Sequence, residues 1–239
     1  AIVADKGAVC KLPDNPAMYE QYSFEWLYEK NGDTQSIPCS TTKVLTVITA
    51  LDYITTIKDK VTIASTDVMS GSGNYYEAGD ILTYEDIIYS MMLPSSNTCA
   101  VALAHNVGKI ILGNPSASHE SCITAFAAAM NEKAAKIGVT NSTFTTPSGY
   151  NKTTNKTTVK DLVRICVDAC SYPELVRIWN KKEHTVNVGG TNPRTVDLET
   201  TVTNATLEND YYIFGGKTGS LWYADDDFYN ALVMVAVHK

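Results

Sequence analysis

Apolar residues cover nearly every face of the segment Ser40–Ile57, where Val44, Leu45, Val47, Ile48, Leu51 and Ile54 follow one another too closely for a single stripe. A helix that is apolar all round is buried on all sides, so this segment is predicted to run through the middle of a domain. Thr83, with Asp86 three residues on, predicts a capped helix over Tyr84–Met92 that stops before Pro94. Asn97–Asn106 reads as a helix closed by Gly108, and Ser121–Ile137 as one closed by Gly138. Thr157 and Thr158 read as the cap of a further helix reaching about Cys170. Val68–Asp80 is rich in glycine and serine and is predicted to be loop.

The two ends have a different character. Tyr22–Tyr28 alternates as a strand that ends at Asn31-Gly32-Asp33. Tyr211–Phe214 and Ala231–Val237 are β-rich, with Gly215-Gly216 and Asp225–Asp227 between them. The pattern predicts an α+β fold in one domain over 1–239, with an antiparallel sheet built from both chain ends (about 1–35 and 205–239) and a mostly helical lobe over about 40–180.

Composition narrows the function classes. The 239 residues are 44% hydrophobic and 19% charged, which excludes a disordered chain. Asp and Glu (26) outnumber Lys and Arg (19), so a nucleic-acid partner is not expected. Apolar runs such as Ala231–Val237 are far shorter than the ~20 residues that span a bilayer. Neither a signal peptide nor a membrane segment is visible. The six cysteines form no CxxC pair, and sequence leaves their pairing open. His105, His119, His184 and His238 are scattered, so no zinc site of the usual spacing is expected, nor any other metal or cofactor.

Three triplets carry chemistry: Ser40-x-x-Lys43, Ser95-x-Asn97 and Lys217-Thr218-Gly219. Alone, the first means little, since sixteen serines and sixteen lysines produce about one such match by chance. Its position adds weight. Lys43 falls on the same face as Ser40 at the start of the buried helix, where burial favours a neutral amine able to activate the hydroxyl. Ser95 and Asn97 stand where a helix begins and read equally well as caps. Ser72-Gly73-Asn74 fits the second triplet just as well. Lys217-Thr218-Gly219 lies beside a strand whose glycines let a peptide approach the backbone, with a charge and a hydroxyl suited to a carboxylate.

The surroundings of these triplets resemble the serine D-alanyl-D-alanine carboxypeptidases, the low-molecular-mass penicillin-binding proteins, whose signature is the same set. Pro38–Thr46 is similar to their nucleophile segment and Leu93–Ala104 to their second motif, which selects Ser95 over Ser72. Phe144–Tyr150, Met130–Ala134 and Gly215–Gly219 look familial too. The resemblance implies a β-lactamase/transpeptidase-like fold and removal of the terminal D-Ala from D-Ala-D-Ala stem peptides of peptidoglycan, with inhibition by β-lactams. It assigns Ser40 as nucleophile, Lys43 as base, Ser95 as proton relay and Asn97 as positioning group. Lys217, Thr218, Gly219 and Ser220 would hold substrate, with the Ser40 and Ser220 amides as oxyanion hole.

Family members act outside the cytoplasm, so that location is expected, with any membrane attachment through segments outside this chain. Two alternatives are a class A-like serine β-lactamase and a non-catalytic peptidoglycan-binding module. The first lacks its deacylating glutamate, because Tyr172 precedes Pro173-Glu174-Leu175.

Overall fold

The computed structural model describes residues 4–12, 24–151, 153–202, 211–222 and 228–238. Strand β1 (Gly7–Lys11) pairs antiparallel with β2 (Glu25–Lys30), so the strand expected at Tyr22–Tyr28 begins after Phe24, while Tyr22 and Ser23 lie outside the described residues. A 3-10 turn, Cys39–Thr41, then leads into α1 (Thr42–Leu51). Every residue of α1 from Thr42 to Ala50 is buried, as the all-round apolar pattern requires. The segment ends as a helix at Leu51, short of Ile57.

α2 (Tyr84–Met92) begins at the reciprocal cap of Thr83 and Asp86. α3 (Asn97–Leu112) runs past Gly108 and ends instead at Gly113, whose φ of 59° is the left-handed conformation of a helix stop. Gly108 sits inside the helix because a Cβ there would lie 2.4 Å from the Cys122 carbonyl; its small size lets α3 and α4 (His119–Lys136) approach. α5 (Val159–Ala169) starts at Thr158, whose side chain accepts from the Asp161 amide, and α6 (Pro173–Trp179) follows. α1 packs against α2, α3, α4 and α5, so it is the axis of the core.

The fold is α+β with antiparallel strands at both chain ends, as expected, and it holds one further sheet. Two short strands within the helical lobe, β3 (Lys60–Thr62) and β4 (Asp80–Thr83), join the hairpin β5 (Glu183–Gly190) and β6 (Arg194–Glu199) in one antiparallel sheet ordered β3-β4-β5-β6. β7 (Tyr211–Trp222) and β8 (Phe228–His238) form a separate long hairpin, and the Asp225–Asp227 turn lies outside the described residues. Among the described residues no strand pairing joins β1-β2 to β7-β8; α5 packs on both β1 and β8 and so connects the two chain ends. Strands of three or four residues are too short to show a period, and β4 meets β5 only after about a hundred intervening residues. Among the described residues no helix is long and apolar enough to cross a membrane.

Candidate active site

The 3-10 turn places Ser40 and Lys43 on one face at the head of α1. Lys43 is fully buried. Its Nζ lies 3.0 Å from Ser40 Oγ, 2.9 Å from Asn97 Oδ1 and 2.9 Å from the Ser148 carbonyl. The last two atoms only accept, so they engage two N–H groups. In the neutral amine, the lone pair is left for the Ser40 hydroxyl proton. Burial first, and then the charge of Lys217, hold Lys43 well below the usual lysine range. Such an amine can act as a base toward the hydroxyl it faces.

Asn97 is fixed from the other side. Its backbone N–H donates to the Ser72 carbonyl and its Nδ2 to the Ser70 carbonyl, both at 3.1 Å, which turns Oδ1 toward Lys43. The cap of α3 is Ser96, which accepts from the Cys99 amide. Ser95 thus does not cap the helix. Its Oγ accepts a 2.8 Å hydrogen bond from Lys217 Nζ. Ser95 (φ 69°) and Cys39 (φ 49°) are two of three non-glycine residues with positive φ among the described residues, so the backbone is strained beside both serines.

Lys217 lies fully buried on β7, and burial lowers its pKa to about 7. It also donates to the Thr218 carbonyl at 2.8 Å, while Thr218 Oγ1 meets Thr201 Oγ1 at 2.5 Å. A Cβ on Gly219 would stand 2.8 Å from Ser40 N, so glycine here lets β7 run against the nucleophile's backbone. The Ser220 hydroxyl donates to Asn230 Oδ1 across the hairpin at 3.0 Å.

The fold therefore gathers Ser40, Lys43, Ser95, Asn97 and Lys217 in two hydrogen-bonded groups, with Thr218 and Gly219 beside them. Sequence reading gave no role to Ser148, Ser70 or Thr201. The first two contribute backbone carbonyls, which no residue type announces. Ser148 did carry a signal, because it lies in the familial segment Phe144–Tyr150. Gly149 holds that segment in place: its φ is 77°, and a Cβ would fall 1.9 Å from the Cys39 carbonyl.

All six cysteines are free thiols. Burial pushes the pKa of Cys39 up to about 11 and that of Cys99 up to about 12, so neither competes with Ser40 as a nucleophile near neutral pH.

Antiparallel sheets around a buried helix headed by a serine–lysine pair define the fold class of the DD-peptidases. The Streptomyces K15 DD-transpeptidase superposes with a TM-score of 0.78 at 24% identity, covering 92% of this chain and 81% of that one. A D-alanyl-D-alanine carboxypeptidase from Mycobacterium tuberculosis does so at 0.65 and 22% identity, covering 90% and 79%. The chain belongs to the D-alanyl-D-alanine carboxypeptidase family of peptidases, which it matches over residues 17–239.

Among curated relatives, the D-alanyl-D-alanine carboxypeptidase of Streptomyces sp. strain K15 is 31% identical over 202 residues, 81% of this chain and 67% of that protein. The D-alanyl-D-alanine endopeptidase of Pseudomonas aeruginosa is 28% identical over 171 residues, 70% of this chain and 50% of that protein. The carboxypeptidase DacF of Bacillus subtilis is 26% identical over 162 residues, 66% of this chain and 39% of that protein. The chain thus spans half or less of the last two.

Proposed function

We propose that residues 1–239 form one catalytic domain that removes the terminal D-Ala from D-Ala-D-Ala peptides of the cell wall, outside the cytoplasm, through an acyl-enzyme on Ser40. The observation that carries this reading is Lys43 Nζ, wholly buried and within 3.0 Å of the Ser40 hydroxyl. Lys43 takes the Ser40 proton as Oγ attacks the scissile carbonyl. The Ser40 and Ser220 amides receive the developing oxyanion, a contribution of about 3–4 kcal/mol per donor. Ser95, bonded to Lys217, passes a proton to the departing D-Ala amine. Lys217 and Thr218 hold the terminal carboxylate, and water then hydrolyses the ester. β-Lactams, which present a strained amide to the same serine, acylate Ser40. No observation favours the β-lactamase or the binding-module reading.

The test is incubation with a defined peptide ending in D-Ala-D-Ala, reading both released D-Ala and cross-linked product, together with the intact mass after penicillin treatment. D-Ala release and a single adduct that disappears in Ser40→Ala are expected. An adduct that persists in Ser40→Ala refutes the assignment. Peptide binding without release of D-Ala or cross-linking would establish the binding module, and rapid turnover of a chromogenic cephalosporin the β-lactamase.

A further inference from the structure

Away from the lysine–serine cluster, the described residues bring together one set of metal-ligating side chains. Asp67, His105 and His119 place their ligand atoms within 4.8 Å of one another. Asp67 is fully buried and ends the 3-10 turn Ser65–Asp67 that follows β3. Its Oδ2 accepts from the Ala64 amide at 2.8 Å, while Oδ1 faces two imidazoles. Nδ1 of His105 lies 2.9 Å from Oδ1 and Nε2 of His119 lies 3.3 Å from it. His105 is buried on α3, and His119, the first residue of α4, is partly exposed. Their rings meet edge to face at 4.9 Å.

His119 Nε2 is buried, yet it forms no hydrogen bond with the oxygen it approaches. A buried polar atom in that state calls for a ligand. Donor atoms about 2.0–2.1 Å from a tetrahedral zinc ion stand about 3.3–3.4 Å apart. The two separations from Asp67 Oδ1, 2.9 and 3.3 Å, are near that value, and the two imidazole nitrogens lie within 4.8 Å of each other. Lys109, one turn further along α3, is the positive charge that works against a cation here.

We propose that Asp67, His105 and His119 bind a divalent transition-metal ion, Zn2+ by the chemistry of two imidazoles and a carboxylate, with water in the remaining position beside the partly exposed His119. The ion ties the turn after β3 to the middle of α3 and the start of α4. Three residues beyond Asp67 the chain reaches Ser70 and then Ser72, whose carbonyls hold Asn97. The metal is thus a staple at the root of the loop that orients Asn97, remote from the reacting atoms. The ligands are 38 and 14 residues apart in sequence, which is why no spacing rule finds them.

The test uses the full chain, stripped by chelator and titrated with Zn2+ against a chromophoric competitor, with circular dichroism as the check on folding. One Zn2+ per chain is expected. His119→Gln, at a partly exposed helix start, is expected to weaken binding by more than the about 10–100-fold typical of outer partners of a metal site. His184→Ala removes a histidine that stacks on Tyr89 and is expected to leave binding unchanged. Co2+ added to the unaltered chain is expected to give the intense visible bands of a four-coordinate ion, a readout independent of any variant. No binding, binding unchanged in His119→Gln, binding lost in His184→Ala, or a six-coordinate Co2+ spectrum overturns the proposal.

Discussion

Lys43 and Lys217 are both wholly buried, and the charge of Lys217 adds to burial in holding Lys43 below the ordinary lysine range. Like charges disfavour each other's ionised forms, so the two lysines form one electrostatic unit. Replacing Lys217 with the apolar Met removes the charge but keeps the bulk. Lys43 should then hold its proton to higher pH. The rising limb of acylation by penicillin is expected to move to higher pH in Lys217→Met, toward a lower plateau because the bond to Ser95 is lost as well. A rising limb at the same pH as in the unaltered chain would count against the coupling.

The same burial makes stability depend on pH. Each lysine binds its proton less tightly when folded than when unfolded, where the pKa is about 10.4. Above the folded pKa of Lys217, about 7, the unfolded chain therefore carries more protons, and stability rises with pH. The melting temperature is expected to increase between about pH 7 and 7.5, about a unit below the pKa of about 8.5 at which unfolded thiols ionise. Lys217→Met should flatten that increase. A falling melting temperature over this interval in the unaltered chain would contradict it.

Asn97 Oδ1 lies 2.9 Å from Lys43 Nζ, so the charge at that oxygen tunes the amine. Asn97→Asp keeps the shape and adds a negative charge, which raises the Lys43 pKa and moves the rising limb of acylation to higher pH. Asn97→Ala adds no charge. It is expected to slow acylation by about 100-fold across the pH range, because Lys43, the group that moves the proton, loses the oxygen that positions it. Stopped-flow acylation as a function of pH separates the two.

Gly149 and Gly113 both have positive φ, but their surroundings differ. A Cβ on Gly149 would lie 1.9 Å from the Cys39 carbonyl, while Gly113 has nothing within 4 Å. Gly113→Ala should cost only the backbone term of about 1–2 kcal/mol. Gly149→Ala must also push the Cys39–Thr41 turn away and should lose both more stability and penicillin labelling. Denaturant unfolding of the two variants checks this.

Arg194 donates to both oxygens of the fully buried Asp80, at 2.8 and 2.7 Å, and to the Tyr75 carbonyl at 2.7 Å. Arg194→Met leaves that carboxylate without its cation at the joint between β4 and β5. A loss of about 3–5 kcal/mol is expected from the unfolding midpoint.

Much of the site was legible in the sequence because its key contacts begin locally. Ser40 and Lys43 meet across one helical turn, and Thr83 with Asp86 forms a reciprocal cap inside four residues. The partners of Lys43 were harder to read. Asn97 arrives from 54 residues away and the Ser148 carbonyl from 105, and a carbonyl belongs to every residue alike. Helix ends failed where packing overrode a local signal: Gly108 looked like a stop but serves the contact of α3 with α4. The sheet within the helical lobe escaped the sequence reading because β3 and β4 are too short to show a period.

The amino-acid pattern by itself determined that α1 is buried, where α2, α3 and α5 begin, and which triplets belong to the family. Each follows from neighbours three or four residues apart, a range over which the chain's own geometry decides who meets whom. Tertiary structure alone decided that Ser96 caps α3 while Ser95 faces Lys217 across 122 residues, and that β3 to β6 make one sheet. It also decided that histidines scattered in sequence converge on Asp67. Such meetings depend on how the chain returns to pack on itself, and no local period or spacing encodes that return.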